Sequence, residues 1–258
     1  MNMTYNPDIF EVVFVPETDS TNQHVRRCTL PEGKDFLVTW TDFQTEGKGQ
    51  PGNTWESERG QNLTFTLLCH PTYIPVRKQF LLSQIISLSI IDTLSALADG
   101  FSIKWPNDIY WQEKKVGGIL IEIDLDGSYI NTCIIGVGLN INQEAFVSDA
   151  PNPISLCQIT GETYSREKIM QDILARFDNY YRMLQAGGED IIRQRYHECL
   201  FRRQGYHTFI DCDGKFEARI HHVEDDGRIV LEDKKRMRRC YSFKEVEFFI
   251  DFSKPTEE

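Results

Sequence analysis

The longest apolar segment of the chain, residues 80–98, restricts the folds that the chain can adopt. Four serines and Asp92 interrupt the segment. A membrane-spanning helix tolerates few such polar side chains, so the pattern predicts a helix buried in a protein core. We expect this helix to cover residues 77–98 and to end at Gly100, because glycine often follows the last helical turn.

Short strand-like runs lie on both sides of this helix. They are predicted at residues 11–16, 35–41, 62–69, 101–104 and 109–111, and as a hairpin of residues 116–125 and 129–137. Further helical patterns cover residues 23–28, 165–185 and 189–201. Strands and helices therefore both contribute to the core of this part of the chain.

The pattern changes near Arg202. Residues 206–249 show short alternating strands with turns at Asp213-Gly214 and Asp226-Gly227, which predicts a small β module of SH3-like type. A length of 258 residues suits one larger domain, residues 1–202, followed by this module, residues 203–258. In the module, adjacent His221 and His222 are expected to point to opposite faces of a strand, so no metal site is assigned to them.

Charge and cysteine content restrict the function. The net charge of −11 disfavours binding to nucleic acid or to an anionic membrane surface. Seven cysteines without a Cys-x-x-Cys pair indicate reduced thiols in the cytoplasm, and residues 1–10 lack the apolar run of a signal peptide. One basic cluster is expected to be a solvated hairpin; it consists of Lys234, Lys235, Arg236, Arg238 and Arg239.

A glycine-rich loop, residues 44–55, is the first candidate site. Gly47 and Gly49 allow a ligand to approach the backbone closely, and Lys48 adds a positive charge. With Gly52 the loop matches Gly-x-Gly-x-x-Gly, but a strand follows it where a dinucleotide-binding fold requires a helix. Alone, the loop fits a solvated surface loop as well as an anion site.

Two further segments carry glycines beside polar groups. Lys115 comes shortly before Gly118, where its ammonium group could balance charge that develops on a phosphate, although an exposed hairpin turn is the alternative. Gly136 and Gly138 precede Asn140 at a strand end, which indicates either close approach of a ligand or a β-bulge.

Five motifs in this order resemble those of the biotin protein ligase family, over roughly residues 12–142 and more loosely in the C-terminal module. They are Ser20-Thr21-Asn22, the Gly47-Lys48-Gly49 loop before Trp55, Lys104-Trp105-Pro106-Asn107-Asp108, Lys115-x-x-Gly118-Ile119-Leu120 and Gly136-x-Gly138-x-Asn140. The resemblance implies an α+β fold, with a mixed central sheet flanked by helices and a small C-terminal SH3-like β-barrel.

The resemblance also implies the activity. Such an enzyme joins biotin to ATP as biotinyl-5′-AMP and transfers the biotin to a lysine of a biotin carboxyl carrier domain, of acetyl-CoA carboxylase or a related carboxylase. Mg²⁺ enters with ATP. We expect a cytoplasmic protein that is a monomer or weak homodimer. Some of these ligases begin with a DNA-binding helix-turn-helix module, but here the first predicted strand starts at about Glu11 and the net charge is −11, so we expect no such module.

By the same resemblance, Ser20, Thr21 and Gln44 would hydrogen-bond the ureido ring of biotin. Lys115 would bridge the biotin carboxylate and the α-phosphate, and Lys48 would hold the carboxylate and then the phosphate. The backbone of Gly47 and Gly49 would hold the same anions. Gln50 and Trp55 would bind the adenylate, with Trp55 stacked on adenine and Asn140 near it. Gly118, Gly136 and Gly138 would leave room for the ligand, and the supporting residues would be Lys104, Asn107 and Asp108.

One departure from the family pattern leaves alternatives open. Gln50 stands where the loop often carries a second basic residue, so its role in holding the intermediate is in question. A lipoate-protein ligase, which shares the fold and the adenylation chemistry, is one alternative. A biotin sensor without catalysis is another.

Overall fold

In the part of the chain that the structure describes, the larger of two sheets has seven strands of mixed direction. The computed structural model describes residues 5–50, 52–147 and 152–250. The strands are β1 (Phe10–Thr18), β2 (Phe36–Gln44), β3 (Leu63–Cys69), β4 (Phe101–Lys104), β5 (Asp108–Trp111), β6 (Lys114–Asp126) and β7 (Tyr129–Leu139), in the spatial order β1-β2-β3-β7-β6-β5-β4. Only β1 and β2 pair in parallel, so the predicted mixed sheet is confirmed.

Helices cover both faces of this sheet. They are α1 (Thr21–Arg26), α2 (Phe80–Leu94), α3 (Leu156–Thr160), α4 (Arg166–Gln185) and α5 (Glu189–Glu198). On one face, Val25 of α1 packs against Leu37, Leu68 and Ile134. The main core lies on the other face, under α2 and α4. All seven residues of β3 are buried, as expected for a central strand covered on both sides.

Helix α2 is the predicted buried helix, although it is shorter than expected. A separate 3₁₀ turn, Val76–Lys78, precedes it. Two of its buried polar side chains bond to the helix backbone: the Ser89 hydroxyl donates to the Ile85 carbonyl at 2.6 Å, and the Thr93 hydroxyl donates to the Ser89 carbonyl at 2.8 Å. Within the described residues no helix combines the length and apolar character needed to cross a membrane.

The smaller sheet is antiparallel and has five strands. They are β8 (His207–Asp211), β9 (Gly214–Val223), β10 (Ile229–Asp233), β11 (Arg238–Tyr241) and β12 (Glu247–Phe248), in the order β11-β10-β9-β8-β12. This agrees with the predicted SH3-like module, although the sheet does not close into a full barrel within the described residues. The two end strands do not pair with each other, and β12 has only two residues with which to bond its neighbour β8.

Two local predictions for this sheet can be compared with the structure. The basic cluster lies in the exposed hairpin of β10 and β11, as predicted. Arg238 and Arg239 also pair with the acidic side chains of Glu232 and Asp211. The expectation that His221 and His222 point to opposite faces is wrong, because their Nδ1 atoms lie 2.6 Å apart. The ladder pairs Ile220 and His222 with consecutive residues of β10, so His221 is the extra residue of a β-bulge.

Candidate active site

Both sheets contribute to a cleft of about 760 Å³. Its walls come from the start of α1, the loop after β2, strands β5 to β7 and the C-terminal sheet. All but two of the predicted site residues line it: Ser20, Thr21, Gln44, Lys48, Gly49, Gln50, Trp55, Lys104, Asn107, Asp108, Lys115, Gly118, Gly136 and Gly138. The fold therefore brings together motifs that lie far apart in the sequence.

One end of the cleft is a buried polar network. The side-chain oxygen of Gln44 accepts hydrogen bonds from the Thr21 backbone N–H at 2.8 Å and from the Thr21 hydroxyl at 3.0 Å. The Thr66 hydroxyl lies 2.7 Å from both the Thr21 hydroxyl and the Asn22 side-chain oxygen. The Asn22 amide in turn donates to Glu122 at 3.0 Å. Since each group holds its neighbour, this end presents fixed donors and acceptors.

Residues close in sequence hold the first turn of α1 in place. Ser20 is the extended residue before the first helical turn, and its side chain does not cap the helix. Asp19 takes over part of this role by accepting the Ser20 N–H at 2.8 Å, while Arg27 forms two hydrogen bonds to the same carboxylate. The Arg27 guanidinium holds the pKa of Asp19 well below its usual range. Ser20 is buried at the cleft wall as a result.

The glycine-rich loop folds back on itself. Gly49 N–H donates to the Asn53 carbonyl and Trp55 N–H to the Gly47 carbonyl, both at 3.0 Å. A Cβ atom on Gly47 would lie 2.5 Å from the Trp55 carbonyl oxygen, so only glycine fits there. Gly47 is not among the residues that line the cleft; it shapes the loop that brings Lys48 and Gly49 to it.

Trp55 lies against the floor of the cleft. A Cβ atom on Gly138 would be 2.4 Å from the Trp55 ring, so the ring rests directly on the backbone of β7. The Trp55 Nε1 is buried without a hydrogen-bond partner among the described residues. Gly136 similarly leaves room for Asn22, whose side-chain oxygen would be 2.3 Å from a Cβ atom there.

The other end of the cleft holds two lysines around one carboxylate. Lys115 Nζ lies 2.7 Å from Asp108 Oδ1, and both side chains are largely shielded from solvent. Lys104 Nζ lies between the rings of Tyr110 and Phe248, at 5.3 and 5.4 Å from their centres. Burial lowers the pKa of Lys104, the nearby Asp108 partly offsets this effect, and Lys115 adds to it.

The predicted supporting residue Asn107 and the predicted adenine-binding residue Asn140 both make backbone contacts. The Asn107 amide donates to the Ile119 carbonyl at 2.6 Å and so ties the turn before β5 to β6. Asn140 does not line the cleft; it is buried and donates to the Ile154 carbonyl at 3.2 Å. Its Oδ1 atom is buried without a partner among the described residues.

Sequence reasoning missed several cleft residues. Asn22 lies inside a recognised motif but was given no role. Thr64 and Thr66 are two residues apart on β3, a spacing that predicts a polar face of the strand. Phe243 and Phe248 of the C-terminal part also line the cleft. No sequence signal indicated them, because their position depends on how the second sheet packs on the first.

The family model for the biotin/lipoate A/B protein ligase family matches residues 14–140. The bifunctional ligase/repressor BirA of Bacillus spizizenii is 28% identical over 234 residues, which cover 88% of this chain and 70% of that protein. The biotin–[acetyl-CoA-carboxylase] ligase of Paracoccus denitrificans is 27% identical over 230 residues, 83% of this chain and 91% of that protein.

The same fold occurs in solved ligase structures. The biotin protein ligase from Aquifex aeolicus in complex with biotin and ATP superposes with a TM-score of 0.77 at 22% identity, covering 93% of this chain and 99% of that one. The sheets and their helices thus have the fold of these ligases. The chain belongs to the biotin/lipoate A/B protein ligase family.

Proposed function

We propose that the protein is an ATP-dependent biotin protein ligase. It forms biotinyl-5′-AMP from biotin and ATP and transfers the biotin to a lysine of a biotin carboxyl carrier domain. The observation that carries this proposal is the layout of the cleft, with a buried polar network at one end and the Lys115–Asp108 pair at the other. Relatives named as biotin ligases add support.

The polar end suits the ureido ring of biotin. Gln44 uses its oxygen for Thr21, which leaves its NH₂ group as a donor for the ureido carbonyl. The hydroxyl groups of Ser20 and Thr21 supply acceptors for the ring N–H groups. A site built for such partners rejects a ligand that lacks them, because the buried polar groups would then lose their hydrogen bonds.

The first step takes place at the centre of the cleft. An oxygen of the biotin carboxylate attacks the α-phosphorus of Mg-ATP, the bond to the β-phosphate breaks, and pyrophosphate leaves. Lys115 would leave its pair with Asp108 to bridge the carboxylate and the α-phosphate, while Lys48 holds the same anions from the loop. Positive charge placed there in advance stabilises the transition state.

The adenosine half of the intermediate would lie along β7. Trp55 offers a ring face for adenine. On the neighbouring strand, the bare backbone of Gly118 lies beside Asp108 and Lys115, whose side chains would be 3.5–3.7 Å from a Cβ atom there. Asn140 would support the adenine-binding region indirectly, because its side chain holds the Ile154 carbonyl by a hydrogen bond. Gln50 lines the cleft as a neutral group and adds hydrogen bonds but no charge.

The second step joins biotin to the acceptor. The unprotonated ε-amine of the acceptor lysine attacks the acyl carbon of biotinyl-5′-AMP, the carbon–oxygen bond to the phosphate breaks, AMP leaves, and the new amide nitrogen loses a proton to water. The mixed anhydride is easily hydrolysed, so exclusion of water by the glycine-rich loop matters in both steps.

The remaining assignments belong to the same proposal. The acceptor is the carrier domain of acetyl-CoA carboxylase or a related carboxylase, and the enzyme works in the cytoplasm as a monomer or weak homodimer without binding nucleic acid. The catalytic domain covers residues 1–202 and the C-terminal β domain residues 203–258. The last residue of α5, Glu198, and the first of β8, His207, lie on either side of that boundary.

Substitution of Lys115 tests the catalytic proposal. Lys115→Ala should lower the rate of biotin-dependent exchange of pyrophosphate into ATP by about 100- to 1,000-fold, the usual effect of losing one group that stabilises developing charge. Lys114→Ala is the matched control, since Lys114 is the preceding residue of β6 and does not line the cleft. Unchanged exchange in Lys115→Ala would exclude this role.

Two other functions are separated by direct measurements. Calorimetry with biotin and with lipoate distinguishes the two ligases, and tighter binding of lipoate would overturn our choice. Incubation with ATP, biotin and a purified carrier domain distinguishes an enzyme from a biotin sensor. Binding of biotin without exchange or transfer would identify a sensor.

A further inference from the structure

Trp105 links the cleft to the C-terminal sheet. Its ring is buried, with 3% of its surface exposed, and lies edge-on to Phe243 with 6.4 Å between ring centres. Its Nε1–H donates to the backbone carbonyl of Gly227 at 2.8 Å. Gly227 belongs to the turn between β9 and β10, more than a hundred residues later in the chain.

The neighbours of Trp105 in sequence connect the same turn to the catalytic pair. Lys104 contacts the Phe248 ring of the C-terminal sheet, and Asp108 holds Lys115 at 2.7 Å. The segment from Lys104 to Asp108 therefore touches the second sheet at one end and the lysine proposed to act on the phosphate at the other.

The turn that receives the Trp105 bond is also held from the helices. The Phe80 N–H donates to the Asp225 carbonyl at 3.3 Å, and Arg193 pairs with the Asp225 carboxylate at 2.7 Å. The 225–227 turn is thus one point at which the second sheet is anchored on the main body. Trp105 is the contact that joins this anchor to the cleft.

We propose that Trp105 is a positioning residue which couples the C-terminal sheet to the phosphate-binding end of the cleft. This inference rests on the proposed function. The end near Lys104 and Lys115 carries two of the cleft cations, and the triphosphate of ATP is the most highly charged anion among the proposed substrates. The wall made by Phe243 and Phe248 closes that end only while the sheet is held in place. The biotin-binding end, at Thr21 and Gln44, does not depend on this contact.

The test removes the hydrogen bond from Trp105 to Gly227 and keeps an aromatic ring at this position. Trp105→Phe should raise the KM for ATP in pyrophosphate exchange by about threefold to tenfold, the range expected for a typical hydrogen bond. The Kd for biotin, measured by calorimetry without ATP, should not change. Trp111→Phe is the matched control. Trp111 lies on strand β5, and its Nε1–H donates to the Asp99 carbonyl at 2.9 Å and not to the C-terminal sheet.

A purely structural role would give another result. If Trp105 only stabilised the fold, Trp105→Phe and Trp111→Phe would both lower the melting temperature and leave the KM for ATP unchanged. Asp225→Asn loosens the same turn from the Arg193 side and should also raise the KM for ATP. This variant decides the question if Trp105→Phe does not fold.

The outcomes keep this inference apart from the proposed function. Wild-type protein that fails to catalyse biotin-dependent exchange would overturn the proposed function. Active wild type, with an unchanged KM for ATP in both Trp105→Phe and Asp225→Asn, would overturn the coupling alone.

Discussion

Gly138→Ala tests the contact between Trp55 and the floor of the cleft. The new Cβ atom would lie 2.4 Å from the Trp55 ring, whereas carbon atoms in contact are about 3.5 Å apart or more, so the ring has to retreat by roughly 1 Å. The loop cannot follow freely, because Trp55 N–H is bonded to the Gly47 carbonyl at 3.0 Å. Overpacking of this kind costs about 1–3 kcal/mol of unfolding free energy.

The same displacement should weaken the binding of ATP. If the Trp55 ring stacks on adenine, its loss from the correct position forfeits part of an interaction worth about 1–3 kcal/mol. We therefore expect the KM for ATP in pyrophosphate exchange at saturating biotin to rise about tenfold. The Kd for biotin alone should change little, since its ring-binding groups lie at Thr21 and Gln44.

Gly118→Ala is the stability control for this variant. Gly118 lies on strand β6 and pairs with Gly138 of β7, but the nearest atom to its new Cβ would be 3.5 Å away. Its unfolding free energy, from urea denaturation followed by circular dichroism, should stay within about 0.5 kcal/mol of wild type or rise. Wild-type stability and wild-type KM for ATP in Gly138→Ala would show that the ring does not rest on Gly138 in solution.

Two further predictions concern the polar end and its support. Thr66→Val removes a hydroxyl that lies 2.7 Å from Thr21, so it should cost about 1–3 kcal/mol of unfolding free energy and weaken biotin binding in calorimetry. Thr39→Val is its control, because Thr39 faces Thr66 across the sheet and its hydroxyl has no partner among the described residues; equal losses in both variants would refute the network. Asp19→Asn should lower the unfolding free energy at pH 7 by about 0.5–1 kcal/mol, a modest value because Asp19 is one-third exposed. The folded-state pKa of Asp19 is lowered from 3.8, so its contribution is present above that pH and lost below it. Urea denaturation from pH 7 to pH 3 should therefore show the two proteins converging, and a constant difference would contradict the assignment.

Much of the secondary structure could be predicted because its signals are local. Strand β4 was predicted with its exact bounds, and the hairpin of β6 and β7 within a few residues. Helix α3 was missed, since it has five residues and depends on the capping box of Ser155 and Gln158. Short elements of this kind carry too little periodicity to be recognised.

Contacts between distant segments could not be predicted in the same way. The bulge at His221, the burial of Asn140 beneath the cleft and the wall formed by Phe243 depend on pairing and packing partners far along the chain. The same reason explains why the C-terminal strands were recognised from the sequence, whereas the open form of their sheet was seen only in the structure.

The sequence by itself determined which residues belong to the family motifs, because residue types and spacings are properties of the chain. Tertiary structure alone decided which of them face the cleft. Gly47 shapes the glycine-rich loop but does not itself line the cleft, and Trp105 donates a hydrogen bond to Gly227 of the second sheet. Lys115 meets Asp108 only because β5 and β6 pair in the observed register, and that register is set by the packing of the whole sheet.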